Sequence, residues 1–181
     1  MVGAKPRRWF GFARDRRGVS AVEFALILPL MLVLFFGGDE LGDALSISRK
    51  VTHITSSLSD LVTQSKTITN SDMSDIFDAA GAIITPYSSS ILKMKVSEIA
   101  IDANSKATVA WSDASNDTAL TVGSVVTLPA ALVQPSTYLV MSEVHYSFKP
   151  VVGYVMTGTY DLSDKFYSKP RLSASIARTA S

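Results

Sequence analysis

Hydrophobic and polar positions divide the chain into three regimes. Residues 19–36, VSAVEFALILPLMLVLFF, are apolar all round, with a single charged position. A helix that is apolar on every side belongs in a bilayer or at the centre of a protein. About 20 apolar residues span a bilayer core, so this run is near membrane-spanning length. Beyond Gly37–Gly38 the pattern becomes periodic. Leu41, Leu45, Ser48, Val51, Ile54, Leu58 and Leu61 recur at helical spacing, with polar residues between them. That predicts an amphipathic helix continuous with the apolar run, over about residues 19–66 and about 70 Å long. Gly37, Gly38 and Gly42 are expected to loosen the join, because glycine lowers helix stability.

The third regime mixes a short helix with strands. Ser65–Asn70 reads as a polar break. Ser71 is the expected cap of a second helix, with Asp72 and Asp75 in its first turn, where carboxylates suit the dipole. Met73, Ile76, Phe77, Ala80, Ile83 and Ile84 make its apolar face, and Pro86 stops it. Residues 91–102 alternate as a strand, with a phase slip at Ser97–Glu98 that reads as a bulge. After a turn at Ala103–Lys106, a return strand over Ala107–Ser112 carries Val109 and Trp111 and completes a hairpin. Ser112–Asp117 is expected as a polar loop and Val122–Leu128 as a short strand. Tyr138–Phe148 is the strongest strand by composition, ended by Pro150. Val151–Met156 reads as a short helix or turn, Ser163–Tyr167 as an edge element and Leu172–Ile176 as a last strand. The fold class is α+β: a long N-terminal helix, transmembrane and then amphipathic, packed on a C-terminal antiparallel sheet, a hydrophobic stem with a packed head. The domains are a basic leader (1–18), a transmembrane segment (19–38) and an α+β domain (39–181).

Net charge, +1 over 181 residues, is uninformative. Its distribution sets an orientation. Residues 1–18 carry Lys5, Arg7, Arg8, Arg14, Arg16 and Arg17 against Asp15 alone. The positive-inside rule puts this arm in the cytoplasm and the domain that follows across the membrane. Asp39, Glu40 and Asp43, just past the apolar run, agree with that orientation but contribute little to it. A basic arm also suits nucleic acid; this one is short, abuts a membrane segment and has no accompanying domain, so no nucleic-acid partner is expected. The chain has no cysteine. Zinc fingers, thiol redox chemistry and cysteine nucleophiles are thereby excluded, and the exported domain depends on an apolar core or on packing into an assembly.

The chemistry worth weighing lies at the border of the apolar run. Glu23 is a carboxylate inside it, which is expensive in hydrocarbon and marks a functional position. Gly18 is a small residue between the arginines and the run. If a peptidase cuts after Gly18, Val19 gains a free α-amine, and Glu23, one helical turn on, pairs with such an amine on its own chain or a neighbour's. The bland alternative is that Glu23 snorkels to the headgroups from near the helix end. Gly18, the basic arm and the spacing together favour processing. An ordinary secretory signal is the rival reading; its apolar core is about 7–15 residues long and ends at an A-x-A-like site, and Gly42-Asp43-Ala44 is a poor match. Pro29, mid-helix, removes one backbone hydrogen bond and marks either a harmless kink or a flexible point.

No enzyme is expected. His53 and His145 are isolated from each other, on a helix and a strand. Zincin, nucleophile-elbow, phosphate-loop and dinucleotide motifs are absent. Asp113 and Asp117 flank a turn and read as solvated loop residues rather than an acid–base pair. Neither a cofactor nor a metal is expected.

The stretch Arg16-Arg17-Gly18-Val19-Ser20-Ala21-Val22-Glu23-Phe24-Ala25-Leu26-Ile27-Leu28-Pro29 resembles the N-terminus of the TadE/TadG-like proteins, minor pseudopilins of the tight adherence (Tad, or Flp) pilus system. Their pattern is a basic leader, a glycine, small residues, Glu-Phe and an apolar helix with a proline. Tyr138–Pro150 resembles their late strand and Lys169–Leu172 their closing Pro-Arg element. The resemblance implies a pilus assembly protein of the bacterial inner membrane, cut after Gly18 by a prepilin peptidase on the cytoplasmic face, with Glu23 as the pilin-type glutamate and incorporation into the pilus as one destination. The implied partners are the peptidase, other pilins and pseudopilins through the N-terminal helix, platform proteins, a secretion ATPase and the lipid bilayer. Some larger members keep the leader, so the alternative is an uncleaved, single-pass membrane-anchored periplasmic binding or envelope protein.

Overall fold

The computed structural model describes residues 17–150, 153 and 157–179. Helix α1 runs unbroken over Arg17–Thr63, 47 residues including Pro29, or about 70 Å. Its two halves differ in surroundings. From Gly18 to Phe35 every residue is exposed. From Ala44 onward one stripe, Ala44, Ile47, Val51, Ile54, Leu58 and Val62, is buried at steps of three and four residues, the spacing that keeps side chains on one face. Buried hydroxyls on that half are satisfied. Thr55 Oγ1 donates to the Val51 carbonyl at 2.7 Å, Thr63 Oγ1 to that of Asp60 at 3.0 Å, and Ser59 shares a hydrogen bond with Ser168. The expected loosening at Gly37, Gly38 and Gly42 is not seen; the helix passes straight through them, because intrahelical bonds persist where the propensity cost is spread over a long helix.

The rest of the chain wraps this second half. Strand β1 (Thr67–Ile68) leads into helix α2 (Asn70–Gly81). The cap is Thr69, not Ser71: Thr69 Oγ1 accepts the Asp72 N–H at 3.2 Å and Asp72 Oδ2 accepts the Thr69 N–H at 2.9 Å. This reciprocal box needs an acid three residues past the cap, which Thr69 has and Ser71 lacks. Asp72 therefore lies in the first turn as expected, and Asp75 does not. Met73, Phe77, Ala80 and Ile84 are buried as read.

Four antiparallel strands follow, β2 (Leu92–Ile101), β3 (Ala107–Ser115), β4 (Thr137–Phe148) and β5 (Tyr160–Ser168), in the spatial order β3-β2-β4-β5. The α+β class, with the helix on an antiparallel sheet, is borne out. The phase slip in β2 has a different cause from the one expected. The strand keeps its alternation, and what changes is the face that is covered. Leu92, Met94, Val96 and Glu98 face α1. Ile99 and Ile101 face the other way, into a second core roofed by Leu120, Val126, Leu128, Leu132 and Val133. The bulge lies opposite, on β3, where Glu98 pairs with Trp111 and Ile99 with Val109. The extra residue, Ala110, turns Trp111 to the helix side and leaves Val109 on the other.

Three further expectations are corrected. Asp113–Ser115 continue β3 rather than forming loop. Val122–Leu128 makes only one bridge, Thr108 to Val125; its Val126 and Leu128 pack on the second core, while Val122 and Val125 stay exposed. Leu172–Ile176 is irregular, and the closing strand is β6 (Ala177–Arg178), parallel to β1. The segment 151–156, read as a helix or turn, lies outside the described residues except Gly153.

Two acids hold the C-terminal segment down. Glu98 is 2 % exposed; its Oε1 accepts the Ile176 N–H at 2.7 Å and its Oε2 the Trp111 indole N–H at 2.9 Å. Asp113 takes the Arg178 guanidinium through both oxygens, at 2.8 and 3.0 Å. Burial pushes the Glu98 carboxyl up, and the two N–H bonds pull the other way without cancelling it. Asp117, read as solvated, instead pairs with Lys95 at 3.0 Å.

Two predictions follow from this packing. Leu58→Ala lowers the stability of the full chain in detergent by about 2–5 kcal/mol, read by thermal unfolding, while Leu41→Ala, at an exposed position, changes it by less than about 0.5 kcal/mol. Because the folded pKa of Glu98 is raised, its contribution to stability is complete below the ordinary glutamate value and is lost as pH rises through the raised one. The Tm advantage of the wild type over Glu98→Gln therefore shrinks as pH rises through that window. An advantage that grows with pH would contradict the assignment.

Candidate assembly interface on the stem

Gly18, Val19, Glu23 and Pro29, singled out in sequence, fall on the first turns of α1. Past the first turn its backbone N–H and C=O groups are bonded within the helix, except the carbonyl that faces Pro29, so the stem needs almost no partner for its main chain. Among the described residues its side chains from Gly18 to Phe35 have no packing partner that buries them. Val19, Val22, Phe24 and Leu26 are 57 to 74 % exposed, and the exposed apolar surface continues through Leu34 and Phe35. This is one helix long and apolar enough to cross a membrane. Exposed contiguous apolar surface on this scale marks a membrane or protein contact.

Gly18 is helical, and a Cβ built on it would meet nothing within 4 Å. Glu23 is exposed and has no ion-pair partner among the described residues. Val19 and Glu23 are four residues apart, so they share a face at a separation of roughly 6 Å between Cβ atoms. Pro29 leaves the Ala25 carbonyl without its usual intrahelical donor. Of the leader, Arg14 and Arg16 lie outside the described residues, as does the side chain of Arg17.

The junction between stem and head contains what the sequence reading missed. Glu40 was read only as one of three acids beyond the apolar run. It is 4 % exposed, and its Oε1 accepts the Gly153 N–H at 2.6 Å. Asp43 Oδ1 accepts the Tyr87 hydroxyl at 2.9 Å. Together they tie the first turn of the packed half of α1 to Gly153 and to Tyr87, far apart in sequence. The signal was present: Glu40 sits four residues before Ala44 and seven before Ile47, on the buried stripe. The histidines are apart, as expected. His145 Nδ1 lies 2.9 Å from Asp161 at the surface, and His53 sits on the exposed side of α1. Among the described residues no group of acids and histidines is placed to hold a metal.

Residues 18–56 match the family model of TadE-like proteins. No curated protein and no solved structure matches the chain. The matched stretch begins at Gly18 and covers the stem, the junction and the first part of the packed helix. It supports a Tad pilus-associated protein, anchored in the membrane by its apolar helix. TadE-like pilus proteins are structural rather than enzymatic and have pilin and assembly partners in general.

Proposed function

We propose that this chain, TadE-like in its stem and Tad pilus-associated, is a minor pseudopilin that is cut after Gly18 and works through its stem helix. The observation that carries the reading is the unpacked stem. A run of side chains from Val19 to Phe35 is exposed on every side, yet it continues as the same helix into a well-packed head. Such a stem fits lipid before assembly and a bundle of similar helices after it.

The leader, residues 1–18, stays in the cytoplasm, residues 19–38 span the inner membrane, and the head from residue 39 lies in the periplasm. A prepilin peptidase removes the leader, and the arginines Arg14, Arg16 and Arg17 hold the cut site at the cytoplasmic face. Cleavage leaves a charged α-amine on Val19. Glu23, one turn away, compensates it within the chain or takes the amine of a neighbouring stem, which makes entry into a bundle selective for correctly staggered helices. Pro29 gives the stem a point where it bends to follow its neighbours. The work of extraction from lipid comes from a separate secretion ATPase acting through platform proteins, since the described residues offer no nucleotide site.

Two variants test this in cells. Gly18→Phe leaves a longer, unprocessed product on electrophoresis; mobility equal to that of wild type would place processing elsewhere. Glu23→Ala still inserts and is still cut but assembles poorly, with pilus yield down by about tenfold or more, the effect of losing a partner for a buried charge. Normal piliation in that variant would remove the pairing role.

A further inference from the structure

The sheet has two edges, and the chain treats them differently. On β3 the outward backbone is covered: Val109 N–H donates to Ser124 at 3.0 Å, Gly123 N–H to Val109 at 2.8 Å and Val126 N–H to Ala107 at 3.1 Å. On β5 it is bare. The alternation of the antiparallel ladder, carried across from β3 through β2 and β4, turns the odd-numbered backbone groups of β5 outward. Lys165 agrees, since its N–H bonds the Asp164 carboxylate at 2.9 Å. Among the described residues no backbone group pairs with Asp161, Ser163 or Tyr167 on that outer side. A groove runs beside this edge. Phe166 of β5 forms one wall and His53, Ser57 and Leu61 of α1 the other, with Phe166 44 % and Leu61 37 % exposed.

We propose that β5 accepts one more β-strand, an extended segment of a different assembly subunit that lies in this groove. The proposal rests on the assembly reading above. Unpaired amides and carbonyls along an edge select an extended main chain, and a helix flanking that edge supplies the pocket for alternate side chains. An apolar side chain of the incoming strand fills the space between Leu61 and Phe166. On the other face Asp161 and Lys165 stand four residues apart, close to His145 and Glu143 respectively. They call for a base and an acid at the opposing positions, because like charges directly across a ladder repel.

The sequence of β5 itself has that charge order. Paired antiparallel about Ser163, two copies put Asp161 opposite Lys165 twice. A second whole chain is nonetheless excluded from one membrane. Antiparallel pairing of identical strands reverses the strand direction. Helix α1 lies along β4 and β5 and barely reaches β2, so the reversal would send the two stems in opposite directions. The natural occupant is therefore another subunit's strand with the same charge order. The β5 peptide, freed from its stem, is a suitable probe.

The test uses the full chain in detergent micelles, a synthetic peptide of residues 160–168, and amide hydrogen exchange. The amides of Ser163 and Tyr167 are expected to exchange rapidly in the protein alone and to slow at least about tenfold with the peptide. A peptide with Asp161 and Lys165 exchanged sets like charges opposite one another and gives no slowing. Ser163→Pro removes an outward donor without breaking a bond to β4; its Tm stays close to that of wild type, and the peptide no longer protects Tyr167. In cells the same variant is inserted and cut at Gly18 but fails to enter the assembly. Absence of peptide protection, or equal protection by the exchanged peptide, overturns the proposal. Slow exchange at Ser163 in the protein alone, relieved on dilution, makes the occupant a second copy and overturns the choice of partner. The peptide measurement does not depend on pilus formation, so its failure is separable from a failure of the Gly18 and Glu23 tests.

Discussion

Beyond its ends an α-helix satisfies its main-chain polar groups internally, save the one carbonyl that a proline such as Pro29 leaves without a donor, and this lets α1 pass from one kind of surroundings to another without a break. Among the described residues the first half of the helix is exposed on every side; the second half contributes a continuous stripe to the core. A loop at the boundary would expose unpaired amides where an apolar segment begins, and a strand would need a neighbour there. The glycines and the proline along the way are tolerated for the same reason, since each removes little from a ladder of this length. Stem and scaffold are one helix, Arg17–Thr63, whose buried stripe begins at Ala44, so the stem is continuous with the scaffold of the head rather than an appendage to it.

The sheet is organised by a second constraint: it has more apolar side chains than one helix can cover. α1 lies along β4 and β5 and α2 adds to the cover at one end, so the residues of β2, β3 and β4 farthest from them turn to the opposite face. The chain from Leu120 to Val133 is drawn over that face and gives up regular structure to do so. The bulge at Ala110 makes the change of face possible within one strand of β3. Charged pairs then occupy what remains of the open face: Asp117 to Lys95, Lys95 to Glu143 at 3.7 Å, and Glu143 to Lys165. Each acid lies beside a base on the neighbouring strand, which keeps a solvated sheet surface from being a repulsive one.

The closing segment shows how polar groups are used when burial cannot be avoided. Ile176 is 1 % exposed and must bring its backbone with it. Its N–H goes to Glu98 and its carbonyl accepts from the Trp111 indole at 2.9 Å. The buried carboxylate costs desolvation, and it is retained because the alternative is an unpaired amide in the core. Arg178 then fastens the end to Asp113 and to Asn70 Oδ1, 2.7 Å away, so the last strand is held by side chains more than by its two-residue ladder.

Local pattern was enough for the stem, the apolar face of α2, the hairpin and β4, because each is decided by the period of its own side chains; it predicted that α1 continues as an amphipathic helix but misplaced part of its face, since Leu41, Leu45, Ser48 and Leu61 are exposed and Ala44, Ile47 and Val62 are buried in their stead. The same holds for the motif from Gly18 to Pro29, whose residues are neighbours in sequence and lie within a few turns of one helix. Tertiary structure alone decided that Thr69 and not Ser71 caps α2, that β2 serves two cores, that the apolar run after Gly123 is a roof and not a strand, and that β6 lies beside β1. Glu40 and Glu98 also became legible only there, since an acid in a pattern of apolar positions says nothing of which distant amide it receives. Period is a property of the local chain, whereas the partner of a buried polar group is set by whatever backbone the folded chain brings to it from far along the sequence.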